Sequence, residues 1–566
     1  MKEPPFGVQL GVEVGMRPEG VGEATELGID HDQRHEGRPV EQVPPRAPDR
    51  ERRSEEQDRV SVGRDRETEQ DARRCEDEQQ HERRKRDGAA GQVWPWWAPA
   101  LGGLGAVLLA IASRIPFWDT PLTADEGGYA EVARLWKSGV ALYGDAWVDR
   151  PQGLMLVYRG LLDVGGGSAV SLRVLASIVA ALVVVVTMLL ALRICGTIEA
   201  VTAGVLLATF AASPWIESFT LSGELLAALP ATLALLAFTG YLSGGRIAWI
   251  GVAGLLTGCA VMVKQSAFDG GLAIVAYLLL TERRRGLKKA ILLAGAALVP
   301  IAAGAIAASN FSEWWGAVVA YRAHGDSLLT GSPVHRLGLL AHSLPEAAKA
   351  LGLLAVLTAI GWRSAPLIAR LWLIAAAVGV LGGGNFHDHY YVQLAPPLSL
   401  LGAVGLRRLL SERRRVVIAV CAAVAVATII VTAPLWDASD SAQARAIWPN
   451  DPHLAHAAAV AAYVRGHTRP GDRIFTLWAA ADVYYLADRR PAVRYMWYRN
   501  IQAIPGALPA ARDALAGRRP ALVVLVQRPK ALDPSGATTR ILFRNYRVVA
   551  RVDGTPILAR RSPPVA

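Results

Sequence analysis

Long apolar runs, separated by short polar segments, dominate the chain between residues 94 and 434. About 20 apolar residues are needed for a helix to cross the hydrocarbon core of a bilayer. Eleven segments meet this pattern: residues 94–118, 169–192, 198–215, 224–242, 247–263, 267–281, 290–309, 337–361, 366–384, 392–408 and 416–434. The pattern predicts a polytopic α-helical membrane protein.

Basic residues collect at the ends of these predicted spans. The clusters are Arg83–Arg86, Arg283–Arg285 with Lys288 and Lys289, Arg407–Arg408 and Arg413–Arg415. With eleven spans, all of them fall on one side, which the positive-inside rule assigns to the cytoplasm. The opposite face then carries five loops: residues 119–168, 216–223, 264–265, 310–336 and 385–391. We therefore expect a multi-pass protein of the cell membrane whose polar loops lie outside the cytoplasm.

The two ends of the chain differ from this central domain, residues 93–434. Residues 1–92 are charged and offer few apolar side chains to bury, which predicts disorder. Two interpretations of this segment stay open. It is a solvated cytoplasmic tail, or the natural protein begins near Val93 and does not include it. Residues 435–566 change character, with predicted strands at 472–477 and 521–526 and a helix at 455–464. They predict a small extracytoplasmic α/β domain.

Composition excludes some classes of function. The 60 basic and 49 acidic residues give a formal charge of +11. The basic clusters sit at span ends, so we expect a membrane rather than a nucleic acid as partner. The four cysteines show no CxxC spacing, which argues against a thiolate metal site or a disulfide framework.

Two adjacent acids, Asp125 and Glu126, follow the first predicted span. A carboxylate at a wet membrane boundary can act as a general base towards an acceptor hydroxyl or amine. The alternative is structural: Thr123 could cap a helix with an apolar face from Tyr129 to Trp136, whose first turn favours acids. Both interpretations can hold together.

Basic residues on the same predicted face could bind a phosphate. Arg150 lies in the first outer loop, and Lys264 interrupts an apolar stretch where a charge is costly. Arg173, at the outer start of the second span, is more ambiguous. Snorkelling to the interface is the alternative for Arg150 and Lys264.

Further polar residues complete the candidate site. Glu217 and Glu224 flank Ser222-Gly223 in the second outer loop. These acids could orient the acceptor or a metal, or they could support the N-terminus of the fourth span. In the loop 385–391, His389 and Tyr390 favour hydrogen bonding to a sugar or phosphate, with interfacial anchoring as the alternative. Tyr129 joins them as a predicted substrate-binding residue. The i,i+2 histidine spacing is weak for a metal, so no metal ligand is assigned and a need for a divalent ion stays open.

These motifs, in this order, resemble GT-C glycosyltransferases, the superfamily of protein O-mannosyltransferases and the lipid A aminoarabinose transferase. The resemblance rests on elements across residues 95–435. They are the acid pair with Gly127-Gly128-Tyr129, the turn Asp149-Arg150-Pro151, Ser171-Leu172-Arg173, Ser222-Gly223-Glu224, Lys264-Gln265, and His389-Tyr390-Tyr391. The tail after residue 435 is similar to outer domains of bacterial members.

The resemblance implies an enzyme that transfers a sugar from a polyprenyl-phosphate donor to a lipid, glycan or protein acceptor on the outer face. It implies Asp125 as the base or the acceptor-orienting acid, with Glu126 beside it, and Glu224 stands where relatives often have an acid. All three are predicted to be catalytic. Arg150, standing where many relatives have Lys, would bind the donor phosphate with Lys264 and Arg173. Gly128 replaces a larger residue and would widen the site.

Two other classes remain open at this point. A transporter or flippase of a lipid-linked saccharide would also carry charges in a membrane domain. Transporters more readily show repeated halves with ionisable residues at mid-membrane, whereas the charges here gather at one face. A non-catalytic scaffold that recognises partners through its outer tail is the third class.

Overall fold

The computed structural model describes residues 97–325, 332–477 and 480–561. Residues 94–566 form one compact unit. The predictions for residues 1–92, including Val93 as a start and the cluster Arg83–Arg86, lie outside the described residues. The domain boundary at residue 434 stays a prediction.

Apolar helices occupy most of the chain up to residue 432. They are α1 (Trp97–Ala112), α4 (Ala169–Ile194), α5 (Thr197–Phe210), α6 (Gly223–Gly244), α7 (Ala248–Val263), α8 (Asp269–Ala307), α10 (Pro333–Gly361), α11 (Leu367–Gly383), α12 (Ala395–Ser411) and α13 (Arg415–Thr432). Every predicted span overlaps one of these helices. Two predicted spans, 267–281 and 290–309, fall on α8, whose backbone breaks between them at Arg283 (φ 50°).

By length and apolar composition, six helical segments in the described part of the chain can cross a membrane, and three more apolar helices are shorter. The chain is a predominantly helical, polytopic membrane protein. The count of eleven spans stays a prediction.

Shorter helices fill the loops between the spans. They are α2 (Ala124–Lys137), α3 (Gln152–Asp163) and α9 (Phe311–Trp315), the last followed by a π-helical stretch, Gly316–Gly325. The predicted cap of α2 is confirmed. Thr123 accepts from the backbone of Glu126, while the Glu126 carboxylate accepts from the backbone of Thr123, each at 3.2 Å. This reciprocal capping box satisfies two helix-end donors and fixes the start of α2.

The C-terminal part combines helices with one mixed sheet. Its helices are α14 (Asp440–Ile447), α15 (Ala457–Gly466), α16 (Ala481–Ala487), α17 (Tyr498–Ala503), α18 (Ala507–Ala516) and α19 (Ala537–Asn545). Its strands are β1 (Arg473–Leu477), β2 (Arg490–Pro491), β3 (Leu522–Leu525), β4 (Tyr546–Val552) and β5 (Thr555–Arg560). The sheet order is β2-β1-β3-β5-β4, with β1 parallel to both neighbours and β5 antiparallel to both of its own. The strands predicted at 472–477 and 521–526 are β1 and β3.

The C-terminal part packs directly on the helix that carries the acid pair, since α16 lies against α2. A Cβ added at Gly127 would lie 2.4 Å from Asp482 Cα, so only glycine allows this approach. The contact brings residues from the C-terminal part to the start of α2.

Candidate functional site

A cavity of about 230 Å³ opens at the end of the bundle where the predicted outer loops meet. Its walls come from the start of α2, the loop before α6, the 3₁₀ segment Asp388–Leu394 and two C-terminal segments. Six of the nine predicted site residues line it: Asp125, Glu126, Tyr129, Arg150, Glu224 and His389. The other three, Arg173, Lys264 and Tyr390, stand behind this lining, as the contacts below describe.

Asp125 sits in the first turn of α2, with part of its surface exposed to the cavity. Its Oδ1 accepts a hydrogen bond from Trp497 Nε1 at 3.0 Å, and its Oδ2 accepts from the Tyr129 hydroxyl at 3.1 Å. Within the described ranges, no basic nitrogen lies within 4 Å of this carboxylate. Two neutral donors therefore orient an acid that faces open space.

Glu126 is held differently, since its carboxylate is 2% exposed and forms an ion pair with Arg173, which is fully buried. Glu126 also accepts from the backbone N–H of Leu221 at 2.8 Å. Arg173 in turn donates to Pro121 O at 2.9 Å. This pair joins α2, α4 and the second outer loop, as expected for a positioning role.

A second buried ion pair lies at the start of α6, where Lys264 donates to Glu224. The Lys264 ammonium also lies 3.9 Å from the centre of the Tyr390 ring. His389 connects this pair to Glu217, with His389 Nε2 3.6 Å from Glu224 Oε1 and Nδ1 3.0 Å from Glu217 Oε2. Glu217, His389, Glu224 and Lys264 thus form one chain of contacts, of which the first three residues line the cavity.

Arg150 lines the cavity beside Tyr129, with its guanidinium carbon 5.9 Å from the ring centre. Its Nη1 lies 3.1 Å from Asp149 Oδ2, and Arg322 donates to the same oxygen. The adjacent Gln265 amide donates to Asp149 O at 2.8 Å. The third and fourth outer loops therefore support the turn that carries Arg150.

The C-terminal part supplies lining residues that sequence reasoning missed: Trp448, Asp451, Leu454, Trp497, Tyr498 and Arg499. Trp448 Nε1 donates to Glu217 Oε1 at 2.8 Å. The run from Tyr495 to Arg499 mixes aromatic and basic residues, which is a weak signal for a binding surface. Nothing local to that run indicates a partner more than 370 positions earlier.

Gly128 does not widen the site as predicted, because the Trp497 ring fills the space that a side chain would take. A Cβ added at Gly128 would lie 2.3 Å from Trp497 Cζ2 and 3.0 Å from Ala481 Cβ. The missing side chain makes room for the indole that binds Asp125.

His387 lines the cavity close to several basic side chains. Burial, and then the positive charges of His389, Arg499, Arg150 and Lys264, hold the pKa of His387 well below its usual value. Its imidazole is therefore neutral at neutral pH. Among the described residues, no group of three or more His, Cys, Asp or Glu is placed to hold a metal ion.

Comparison with known proteins gives one family match. Residues 149–306 match the family model for dolichyl-phosphate-mannose-protein mannosyltransferase. This range includes Arg150, Arg173, Glu224 and Lys264. No curated protein matches the sequence.

Solved structures share the fold. ArnT from Cupriavidus metallidurans, solved bound to undecaprenyl phosphate, aligns with a TM-score of 0.55 and 19% identity over 84% of this chain and 99% of its own. The Archaeoglobus fulgidus oligosaccharyltransferase, solved with a tethered acceptor peptide, aligns with a TM-score of 0.50 and 13% identity over 83% of this chain and 75% of its own. The predicted likeness to GT-C glycosyltransferases is confirmed.

Proposed function

We propose, from this GT-C-like fold and family match, that the chain is a membrane glycosyltransferase that takes its sugar from a polyprenyl-phosphate donor. The acceptor is a lipid, glycan or protein, and the reaction takes place on the extracytoplasmic face of the cell membrane. The undecaprenyl phosphate bound by ArnT supports the class of donor. The basic clusters at the opposite span ends support the orientation.

The observation that carries the proposal is that Asp125 and Arg150 line the same cavity. Asp125 presents a carboxylate held by two neutral donors, as a general base requires. Arg150 presents a cation that can stabilise a departing phosphate. Base and leaving-group stabiliser are thus within one small volume.

The chemistry is a direct displacement at the anomeric carbon. The acceptor hydroxyl gives its proton to Asp125 as its oxygen bonds to the sugar. The bond between the anomeric carbon and the phosphate oxygen breaks, and its electron pair leaves with the lipid phosphate. Charge balances, since Asp125 becomes neutral while the phosphate diester becomes a dianionic monoester.

The neighbouring pairs take supporting roles in this proposal. Glu126 and Arg173 hold the start of α2 and the second outer loop in register. Glu224 and His389 orient the substrate from the cavity lining, while Lys264 and Tyr390 support Glu224 from behind it.

The test uses purified protein in vesicles with a polyprenyl phosphate whose sugar carries a radioactive label. We expect loss of label from the lipid with the wild type and none above background with Asp125→Asn, which keeps the shape of the side chain. Full transfer by Asp125→Asn would reject the base. Movement of intact lipid across the bilayer without cleavage would instead identify a flippase.

A further inference from the structure

Arg499 differs from the other basic residues of the site in having no acidic partner. Its Nε donates to the Tyr498 hydroxyl at 3.2 Å, and its Nη1 donates to Asn385 Oδ1. Within the described ranges, no carboxylate oxygen lies within 4 Å of its guanidinium. Yet the side chain is partly buried and lines the cavity. A partly desolvated cation normally requires a counter-charge.

Two other basic side chains on this side of the site are paired with acids in the described part of the chain, Arg150 with Asp149 and Lys264 with Glu224. Arg499 therefore adds a positive charge that neither of these two acids balances.

The attraction exerted by this charge grows along the proposed reaction, because the phosphate changes from a monoanionic diester to a dianionic monoester. In the same step Asp125 loses its negative charge as it takes the acceptor proton. Complementarity that grows along the reaction lowers the barrier, whereas equal binding of donor and product does not.

We propose that Arg499 binds the phosphate of the lipid carrier and stabilises it most as it leaves as a dianion. The inference rests on the proposed function for the identity of the carrier. The geometry suits this role, because Tyr498 and Asn385 occupy Nε and Nη1, while no hydrogen bond to a described residue engages Nη2. Arginine is also the side chain whose planar fork best fits phosphate oxygens.

The first experiment measures binding, which needs no turnover. Wild type, Arg499→Gln and Arg499→Lys are titrated with undecaprenyl phosphate in detergent. Arg494→Gln is the matched control, because Arg494 lies on the same segment and is exposed, 3.7 Å from Glu313. At pH 8, where a phosphate monoester is a dianion, we expect Arg499→Gln to weaken binding about 10- to 100-fold. Arg499→Lys should lose less, and Arg494→Gln should bind like the wild type.

The pH dependence separates charge recognition from a general loss of shape. At pH 5 the phosphate monoester carries about one charge, so the loss caused by Arg499→Gln should be smaller there than at pH 8. In turnover, we expect Arg499→Gln to lower kcat by a larger factor than it raises KM. The donor that binds is a monoanion, whereas the phosphate that leaves during the reaction is a dianion. Equal losses at both pH values, or binding within twofold of the wild type at pH 8, would overturn the proposal.

A measurement on the unmodified protein covers the case of variants that do not fold. Phenylglyoxal modifies accessible arginines, and mass spectrometry of the peptide that contains Arg499 reports the extent. We expect undecaprenyl phosphate to protect Arg499 and inorganic phosphate at equal concentration to protect it far less. Protection by inorganic phosphate alone would assign the site to a soluble phosphate and overturn the lipid carrier. Failure of the wild type to release sugar would reject the proposed function while these binding results stand.

Discussion

Replacing Trp497 with phenylalanine tests whether the C-terminal part of the chain contributes to the chemistry. The substitution keeps an aromatic ring and removes the indole N–H that donates to Asp125 Oδ1 at 3.0 Å. Asp125 keeps its second donor, Tyr129. The carboxylate therefore stays in place but loses one of the two donors that orient it.

The size of the effect follows from the charge and the exposure of the acceptor. A hydrogen bond to a charged group is worth about 1.5–3 kcal/mol. Because Asp125 is partly exposed to the cavity, water can replace the lost donor in part, so we take the lower end, about 1.5 kcal/mol. This corresponds to about a tenfold fall in kcat/KM.

The assay is the rate of sugar release from labelled polyprenyl phosphate at one fixed pH. We expect kcat/KM of Trp497→Phe to fall about tenfold, because the proposed base has lost a donor that orients it. A melting temperature equal to that of the wild type would separate this effect from a loss of packing. The matched control is Trp249→Phe, since Trp249 lies at the start of α7, at the end of that helix far from Lys264. A rate within twofold of the wild type would refute the reasoning.

Three further substitutions test the packing around the site. Gly128→Ala places a methyl group 2.3 Å from the Trp497 ring, so it should cost about 1–3 kcal/mol of stability in thermal unfolding. The control is Gly105→Ala, which should be neutral because its methyl group would meet nothing within 4 Å. Glu126→Gln should destabilise by about 3–5 kcal/mol because Arg173 is left buried without its partner; a folded yield in detergent equal to wild type would contradict this. Burial alone would lower the pKa of His453, but two neighbouring carboxylates raise it to about 10. Protonated His453 thus stabilises the fold fully below pH 6.5, and this stabilisation is lost as the pH rises through 10. We therefore expect the melting temperature of His453→Gln to fall less over that pH range than the melting temperature of the wild type.

The sequence was sufficient for features that depend on local pattern. Apolar run length located the helices, and the spacing of Thr123 and Glu126 located the cap of α2. The strands at residues 473–477 and 522–525 follow from short β-branched runs after turn residues. Each of these signals lies within a few residues of the element it specifies.

The pairings within the site could not be read in this way. Lys264 contacts Glu224, which lies 40 positions earlier in the sequence, and Trp497 contacts Asp125, which lies 372 positions earlier. Such contacts depend on how helices and loops pack, and no periodicity encodes them. Gly128 was expected to widen the site, and no pattern in the sequence indicated that the Trp497 ring fills the space.

The three acids predicted to be catalytic can be separated by what they are paired with. Glu126 is neutralised by Arg173 and Glu224 by Lys264, so both are held in place by ion pairs. Asp125 is the one of the three with no basic partner within 4 Å among the described residues.

Arg499 is the corresponding case among the basic residues that line the cavity. No described carboxylate lies within 4 Å of its guanidinium. A buried ion pair contributes little net stability yet is costly to break, so the paired groups are suited to holding the loops. Asp125 and Arg499 both lie in the cavity lining without an ionic partner among the described residues. In the proposed mechanism Asp125 takes a proton and Arg499 binds an anion. Because the two residues come from α2 and from α17, the proposed site needs both the helical part and the C-terminal part of the chain.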